Sequence, residues 1–185
     1  MDIHTYNARR ARGGFTLIEL IITAGILAIV LSMAIPTFTG TSAKHELRSV
    51  LTNIHGLLYL ARSEAVKRNR WVTICPSEDG KECTAGFRWE RGLIMFADPN
   101  GNKARDPGEP LLKQILPVSK THYVATTTRR RQIRFTPLGL SMGSNATFTV
   151  CDIEGQTPPQ AIILSNTGRA RLSSTRADGT PLYCG

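Results

Sequence analysis

Two arginines one residue apart, Arg169 and Arg171, follow a glycine near the C-terminal end, in Asn166-Thr167-Gly168-Arg169-Ala170-Arg171-Leu172. On an extended strand the two-residue period puts both guanidiniums on one face, with Ala170 and Leu172 on the other. Side by side they make a bidentate fork for phosphate oxygens, and Gly168 supplies the turn before the strand. In Arg129-Arg130-Arg131-Gln132-Ile133-Arg134 the parity of Ile133 and Phe135 suits a core, so Arg130 and Arg134 face outward and extend the basic surface. Arg129 and Arg131 fall in the loop before that strand. The competing reading is an exposed surface whose arginines serve solubility or meet a neighbouring protein. Near the other end a single carboxylate, Glu19, opens an apolar run with no further charge from Leu20 to Ala43. A charge in such a run costs roughly 2.5–3.5 kcal/mol on insertion scales, so it needs a partner.

Catalytic chemistry is not legible elsewhere. Gly-x-Ser-x-Gly, HExxH and P-loop patterns are missing from the sequence, the carboxylates sit in turns, and no cofactor or metal is called for. His4, His45, His55 and His122 stand at no metal-ligand spacing with the four cysteines. Asp98, Asn100 and Asn102, followed by Asp106 and Glu109, begin like a calcium loop. Glycine falls one place early and Pro107 and Pro110 interrupt the run, which reads as turns whose Asp and Asn side chains bond their own backbone.

The elements that position these residues begin with a basic leader containing Arg9, Arg10 and Arg12, then Gly13-Gly14, then the apolar run. An ordinary secretory signal, cut near Ser32-Met33-Ala34, leaves Glu19 and the length of the run unexplained. A plain single-pass anchor is long enough at about 20 apolar residues, and the arginines keep its N-terminus cytoplasmic. That reading leaves Glu19 and the glycine pair without a role. Gly14-Phe15-Thr16-Leu17-Ile18-Glu19 resembles the processing site of type IV prepilins and pseudopilins. The resemblance implies that a prepilin peptidase cuts after Gly14 and that Phe15 becomes the methylated N-terminus. It also implies that Glu19 neutralises the amine of a neighbouring subunit in a filament. Pro36 fits the family's N-terminal helix and is expected to kink or locally melt it.

Beyond Pro36, Leu47, Val50, Leu51, Ile54, Leu57, Leu58, Ala61 and Ala65 recur at three- and four-residue steps and predict one apolar helical stripe. Lys44, Glu46, Arg48, Asn53 and Arg62 populate the opposite side. From Trp71 the period shifts towards two, predicting short strands at 71–75, 86–89, 92–97, 111–116, 132–135, 146–151, 160–165 and 168–173. A long N-terminal helix laid on antiparallel strands is an α+β fold. The expected division is leader 1–14, transmembrane or filament-core helix 15–36, amphipathic stalk 37–70 and β-rich head 71–185.

With the head outside the cytoplasmic membrane, the four cysteines are expected to form two disulfides. Cys75–Cys83 would close a short polar turn and Cys151–Cys184 would pin the C-terminus, worth roughly 2.5 and 3.8 kcal/mol in loop-closure entropy. Four cysteines still allow three pairings. Residues 37–185 hold 20 Lys and Arg against 12 Asp and Glu, and residues 111–185 hold nine against three, a balance that attracts polyanions.

The order Cys75 to Cys83, Gly92 to Asp98 with Asn100-Gly101, Asp106 to Glu109, Phe135-Thr-Pro-Leu-Gly139 and Gly168-Arg-Ala-Arg171 resembles the FimT/GspH group of minor pilins and pseudopilins. The resemblance implies a type IV pilin-like fold without enzymatic activity, anchored in the inner membrane with its head in the periplasm. Its partners would be the peptidase and other pilins or pseudopilins. In the FimT branch Gly-Arg-x-Arg is associated with binding double-stranded DNA during natural transformation, which implies Gly168, Arg169 and Arg171 as a DNA site. The GspH branch implies a structural part of a type II secretion system instead.

Overall fold

The computed structural model describes residues 14–117, 119–127 and 130–184, and for residues 33–39 the backbone only. The leader residues Arg9, Arg10, Arg12 and Gly13, and Arg129, lie outside the described residues. One helix, α1, spans Leu17–Arg68. Thr16 caps its start: its hydroxyl accepts the Glu19 amide at 3.3 Å and its carbonyl the Leu20 amide at 3.2 Å. The helix passes Pro36 without a melted turn, because a proline removes one donor and the ladder resumes on either side.

The chain divides into two compact units, Met1–Thr39 and Gly40–Gly185. In the first, Phe15, Leu17, Ile18, Leu20, Ile21, Ile22, Ile26, Leu27, Ile29, Val30 and Leu31 are all exposed. A helix apolar all round and bare of partners has no core of its own to join. The apolar stretch with described side chains ends at Ser32, and among the described residues no helix is long and apolar enough to cross a membrane.

In the second unit the predicted stripe is buried throughout, from Leu47 to Ala65. Asn69 ends the helix at φ 50°, with the Arg70 amide bonded back to the Ala65 carbonyl. The strands are β1 (Val72–Pro76), β2 (Leu93–Ala97), β3 (Leu111–Ile115), β4 (His122–Thr126), β5 (Ile133–Phe135), β6 (Ala146–Asp152), β7 (Gln160–Leu164) and β8 (Ala170–Ser173). They form two antiparallel sheets, β3-β2-β1-β5 and β4-β6-β7-β8. A single core joins the helix stripe to Val72, Ile74, Leu93, Met95, Ile133 and Phe135 of the first sheet. From the second sheet it takes Val124, Phe148, Val150, Ile162, Leu164 and Ala170.

Two expectations are corrected. Residues 86–89 are not a strand; the chain instead makes a single 3-10 turn at Trp89–Arg91. The Trp89 indole N–H needs an acceptor, finds the Arg130 carbonyl at 2.9 Å, and the ring stands edge-on to Phe148. Strand β4, absent from the sequence reading, pairs along β6 from His122↔Asp152 to Thr126↔Phe148.

Both disulfides have the favoured pairing, Cys75–Cys83 and Cys151–Cys184. Cys75 and Cys83 lie over Ile94 and Phe96 in a small cluster of their own. Cys151 is fully buried on β6, so its bridge ties the C-terminal turn to the second sheet.

Glu46 joins α1 to the residues before β4: the Ser119 hydroxyl donates to its carboxylate at 2.8 Å. Hydrogen bonds from Ser119 and then Thr121 hold the Glu46 carboxyl below the usual glutamate range. A depressed pKa stabilises the fold above the unfolded value, about 4.3, and that contribution is lost as pH falls through the folded value. The loss of urea resistance between pH 6 and pH 3 is therefore expected to be smaller in Glu46→Gln than in the unaltered protein. Equal losses would mean that this contact carries no acid-sensitive stability.

Candidate functional site

The hairpin of β7 and β8 brings Arg169 and Arg171 together. Ile163 pairs with Arg171 and Leu164 with Ala170. Ala170 turns into the core at 6% exposure while both arginines are exposed. The two guanidiniums, with Ile163, Ser165 and Thr167, line a concavity of about 320 Å³. Ile163 is 8% exposed beside these arginines, the arrangement in which aliphatic stems cover apolar surface and charged heads stay in water. Among the described residues neither guanidinium has a hydrogen bond or an ion pair, so both are available to an anion. Leu172, expected on the buried face with Ala170, is 54% exposed; β8 is the outermost strand of its sheet and its far end lacks cover.

Gly168 is fixed by backbone geometry. Its φ is 75°, and a Cβ there would sit 2.1 Å from the Gly139 carbonyl oxygen. The turn closes with the Gly168 amide on the Ser165 carbonyl and the Ser165 amide on the Arg169 carbonyl. Its role is to place the two arginines, and its own atoms are packed against the Phe135–Gly139 segment.

The sequence reading missed the residues that hold this hairpin. Arg62, expected on the solvent side of α1, donates from Nη1 to the Gly168 carbonyl at 3.2 Å. The Tyr59 hydroxyl reaches the Ala170 carbonyl at 3.5 Å, and the His55 ring nitrogen lies 3.4 Å from the same oxygen. These three occupy helix positions at the rim of the buried stripe, where long polar side chains reach past the core. That rim position is the only sequence signal they carry.

Arg130 and Arg134 do not join the concavity. Arg134, on β5 of the first sheet, donates to the Gly101 carbonyl at 2.5 Å, and its guanidinium lies 4.2 Å from the centroid of the Trp71 ring. The Arg130 Nε donates to the Asn145 carbonyl at 3.3 Å. Both have local structural duties.

The run after Asp98 bonds largely within itself, although Asp98 Oδ1, Arg105 Nε and Glu109 Oε1 are buried without a hydrogen-bond partner among the described residues. The Thr73 hydroxyl and the Lys103 amide donate to Asp98 at 2.7 and 3.1 Å, and the Asn100 and Asn102 side-chain amides both donate to Asp106 at 2.7 Å. Among the described residues no carboxylate, histidine or cysteine group could hold a metal ion.

A long N-terminal helix, two antiparallel sheets on its second half, and a glycine–phenylalanine–glutamate junction before an apolar run define a type IV pilin-like protein. Residues 51–168 match the family described as type II transport protein GspH, and residues 9–35 match the prokaryotic N-terminal methylation motif. The chain belongs to the GspH family, whose members are structural components of pilus-like assemblies, without catalysis. The pilin-like protein PilA1 of Thermus thermophilus is 28% identical over 175 residues, 87% of this chain and 98% of that protein. Two crystal structures of the Pseudomonas aeruginosa type IV minor pilin FimU share the fold. They have TM-scores of 0.55 and 0.52 at 21% and 20% identity, covering 70% and 68% of this chain and 90% and 91% of theirs.

Proposed function

We propose that the chain is a minor type IV pilin that binds double-stranded DNA through Arg169 and Arg171. A prepilin peptidase cuts after Gly14 and methylates Phe15. Residues 15–36 anchor the subunit in the inner membrane and then lie in the filament core, with Glu19 against a neighbour's N-terminal amine. Residues 37–70 form the stalk helix, and residues 71–185 the periplasmic head. Pairing is the cheapest state for a carboxylate held in apolar surroundings, because an unmatched charge there is costly. The observation that carries the DNA reading is the pair of exposed, unpartnered guanidiniums lining one concavity. Their chemistry suits phosphate rather than bases, so binding is sequence-tolerant and salt-sensitive. Arg130 and Arg134 contribute to the positive field rather than to direct contacts.

The second reading, a pseudopilin of a type II secretion system without DNA binding, is favoured by the match to the family described as type II transport protein GspH. A salt titration of duplex DNA against the unit Gly40–Gly185 separates the two. Binding that weakens steeply with salt is expected, and no binding at low salt would leave the secretion reading. Edman sequencing of membrane-extracted protein is expected to begin at a methylated Phe15. A start after Ala34 would mean an ordinary signal peptide.

A further inference from the structure

We propose that the outer edge of β3 receives an extended, acidic segment of a different filament subunit as an added strand. The two sheets end in four edge strands: β3 and β5 in one, β4 and β8 in the other. At three of these edges a side chain bonds an outward backbone group, on β8 only at the start of the strand. The outward carbonyls at Gly168 and Ala170, flanking the start of β8, meet Arg62 and Tyr59. On β4 the His122 amide donates to the Ser119 hydroxyl at 2.9 Å and the Val124 amide to the Glu90 carboxylate at 3.3 Å. On β5 the Arg134 amide donates to the Ser144 hydroxyl at 3.2 Å. Among the described residues no side chain reaches a backbone group of β3.

The free groups follow from the ladder. The Ser77 amide bonds to the Gly92 carbonyl and the Ala97 amide to the Pro110 carbonyl, so even-numbered residues of β2 bond towards β1 and odd-numbered ones towards β3. Lys113 and Ile115, opposite Met95 and Leu93, therefore bond to β2, and the N–H and C=O of Gln114, opposite Ile94, point away from the sheet. A bulge between Met95 and Phe96 brings Leu111 opposite Phe96, so its backbone points outward as well. No residue of β3 is buried, and Leu111 at 37% and Leu116 at 73% exposure leave an apolar rim beside those unpaired groups. An exposed apolar edge of this kind is a template for strand addition.

Charge selects the occupant. Lys113 is the single charge on β3, and residues 37–185 carry 20 basic against 12 acidic side chains. A second copy of this edge would bring lysine and net positive charge to the same seam, which is repulsive. An Asp or Glu on the incoming strand pairs with Lys113 instead. The proposal rests on the filament-subunit reading and is independent of DNA binding.

The test uses the full chain in its own cells, with a benzophenone-bearing residue at Leu116 and mass mapping of the photo-adduct. The expected adduct joins a different subunit bearing the N-terminal methylation motif, in an extended segment containing Asp or Glu. It should fall at least about tenfold in Gln114→Pro, which deletes the outward N–H and leaves the β2 ladder intact. It should also fall in Lys113→Glu; where Gln114→Pro does not fold, Lys113→Glu decides. No adduct, an adduct with a second copy of this chain, or one that persists in Lys113→Glu overturns the proposal. Recovery of the chain in sheared filaments is scored separately. Its presence there without the adduct overturns the edge alone, and its absence overturns the filament reading and the edge with it.

Discussion

Gly168→Ala is expected to cost the head about 2–6 kcal/mol, a large part of the roughly 5–15 kcal/mol that a domain has. Two costs combine. A Cβ at φ 75° is strained by about 1–3 kcal/mol, and one placed 2.1 Å from the Gly139 carbonyl oxygen forces the two segments apart for a further ~1–3 kcal/mol. Gly139 itself has φ 73° and packs against Arg62 and Val66, so it has little room to retreat. Moving the turn also threatens the Arg62 bond to the Gly168 carbonyl. Gly143→Ala is the control, because Gly143 has a similar φ of 70° with nothing within 4 Å of the added carbon. Urea denaturation of the unit Gly40–Gly185 should place Gly168→Ala at least about 1 kcal/mol below Gly143→Ala, the lower end of the steric cost. Equal losses would mean that the close approach relaxes freely. The result bears on the proposed DNA site, since replacing a glycine needed by the fold would weaken any binding there without removing a contact to DNA.

The helix was legible because its stripe repeats at one period and faces one core. Every stripe residue from Leu47 to Ala65 is buried. The central strands β1 and β2 were legible because they are short apolar runs covered on both faces. Strand β4 was hidden because it is an edge strand whose buried residues include His122, at 1% exposure, so its pattern reads as polar. Phe87 and Trp89 alternate like a strand, yet the bond from the Trp89 indole to Arg130 and its packing on Phe148 hold a 3-10 turn. At the site, the parity of Arg169 and Arg171 was readable from local period alone. The clasp of Tyr59 and Arg62 was not, because it joins residues more than 100 positions apart through backbone carbonyls, which have no sequence signature. The partners of Arg134 were hidden for the same reason: parity gave its outward direction, but not the Trp71 ring and Gly101 carbonyl it meets.

Arg169→Gln/Arg171→Gln is expected to leave the fold intact and remove most DNA affinity. Both guanidiniums are exposed and among the described residues lack protein partners, so their loss breaks no internal bond, and glutamine retains part of the stem beside Ile163. Each phosphate neutralised contributes about 0.9 to the slope of log affinity against log salt, so the double variant should flatten that slope by about 2. At low salt the affinity should fall about tenfold or more, uniformly across sequences, as for any contact made to phosphate rather than to bases. Arg134→Gln is the contrast. It removes the bond to Gly101 and the stack on Trp71, so it should lower stability while leaving the salt slope nearly unchanged. If the double variant bound with the original slope, the two arginines would be surface charges serving solubility or a neighbouring subunit. If Arg134→Gln flattened the slope as much, binding would follow the total charge of the head and not this hairpin. A flattened slope in the double variant alone would assign DNA to one face of the β7–β8 hairpin, the face that Gly168, Tyr59 and Arg62 hold in place.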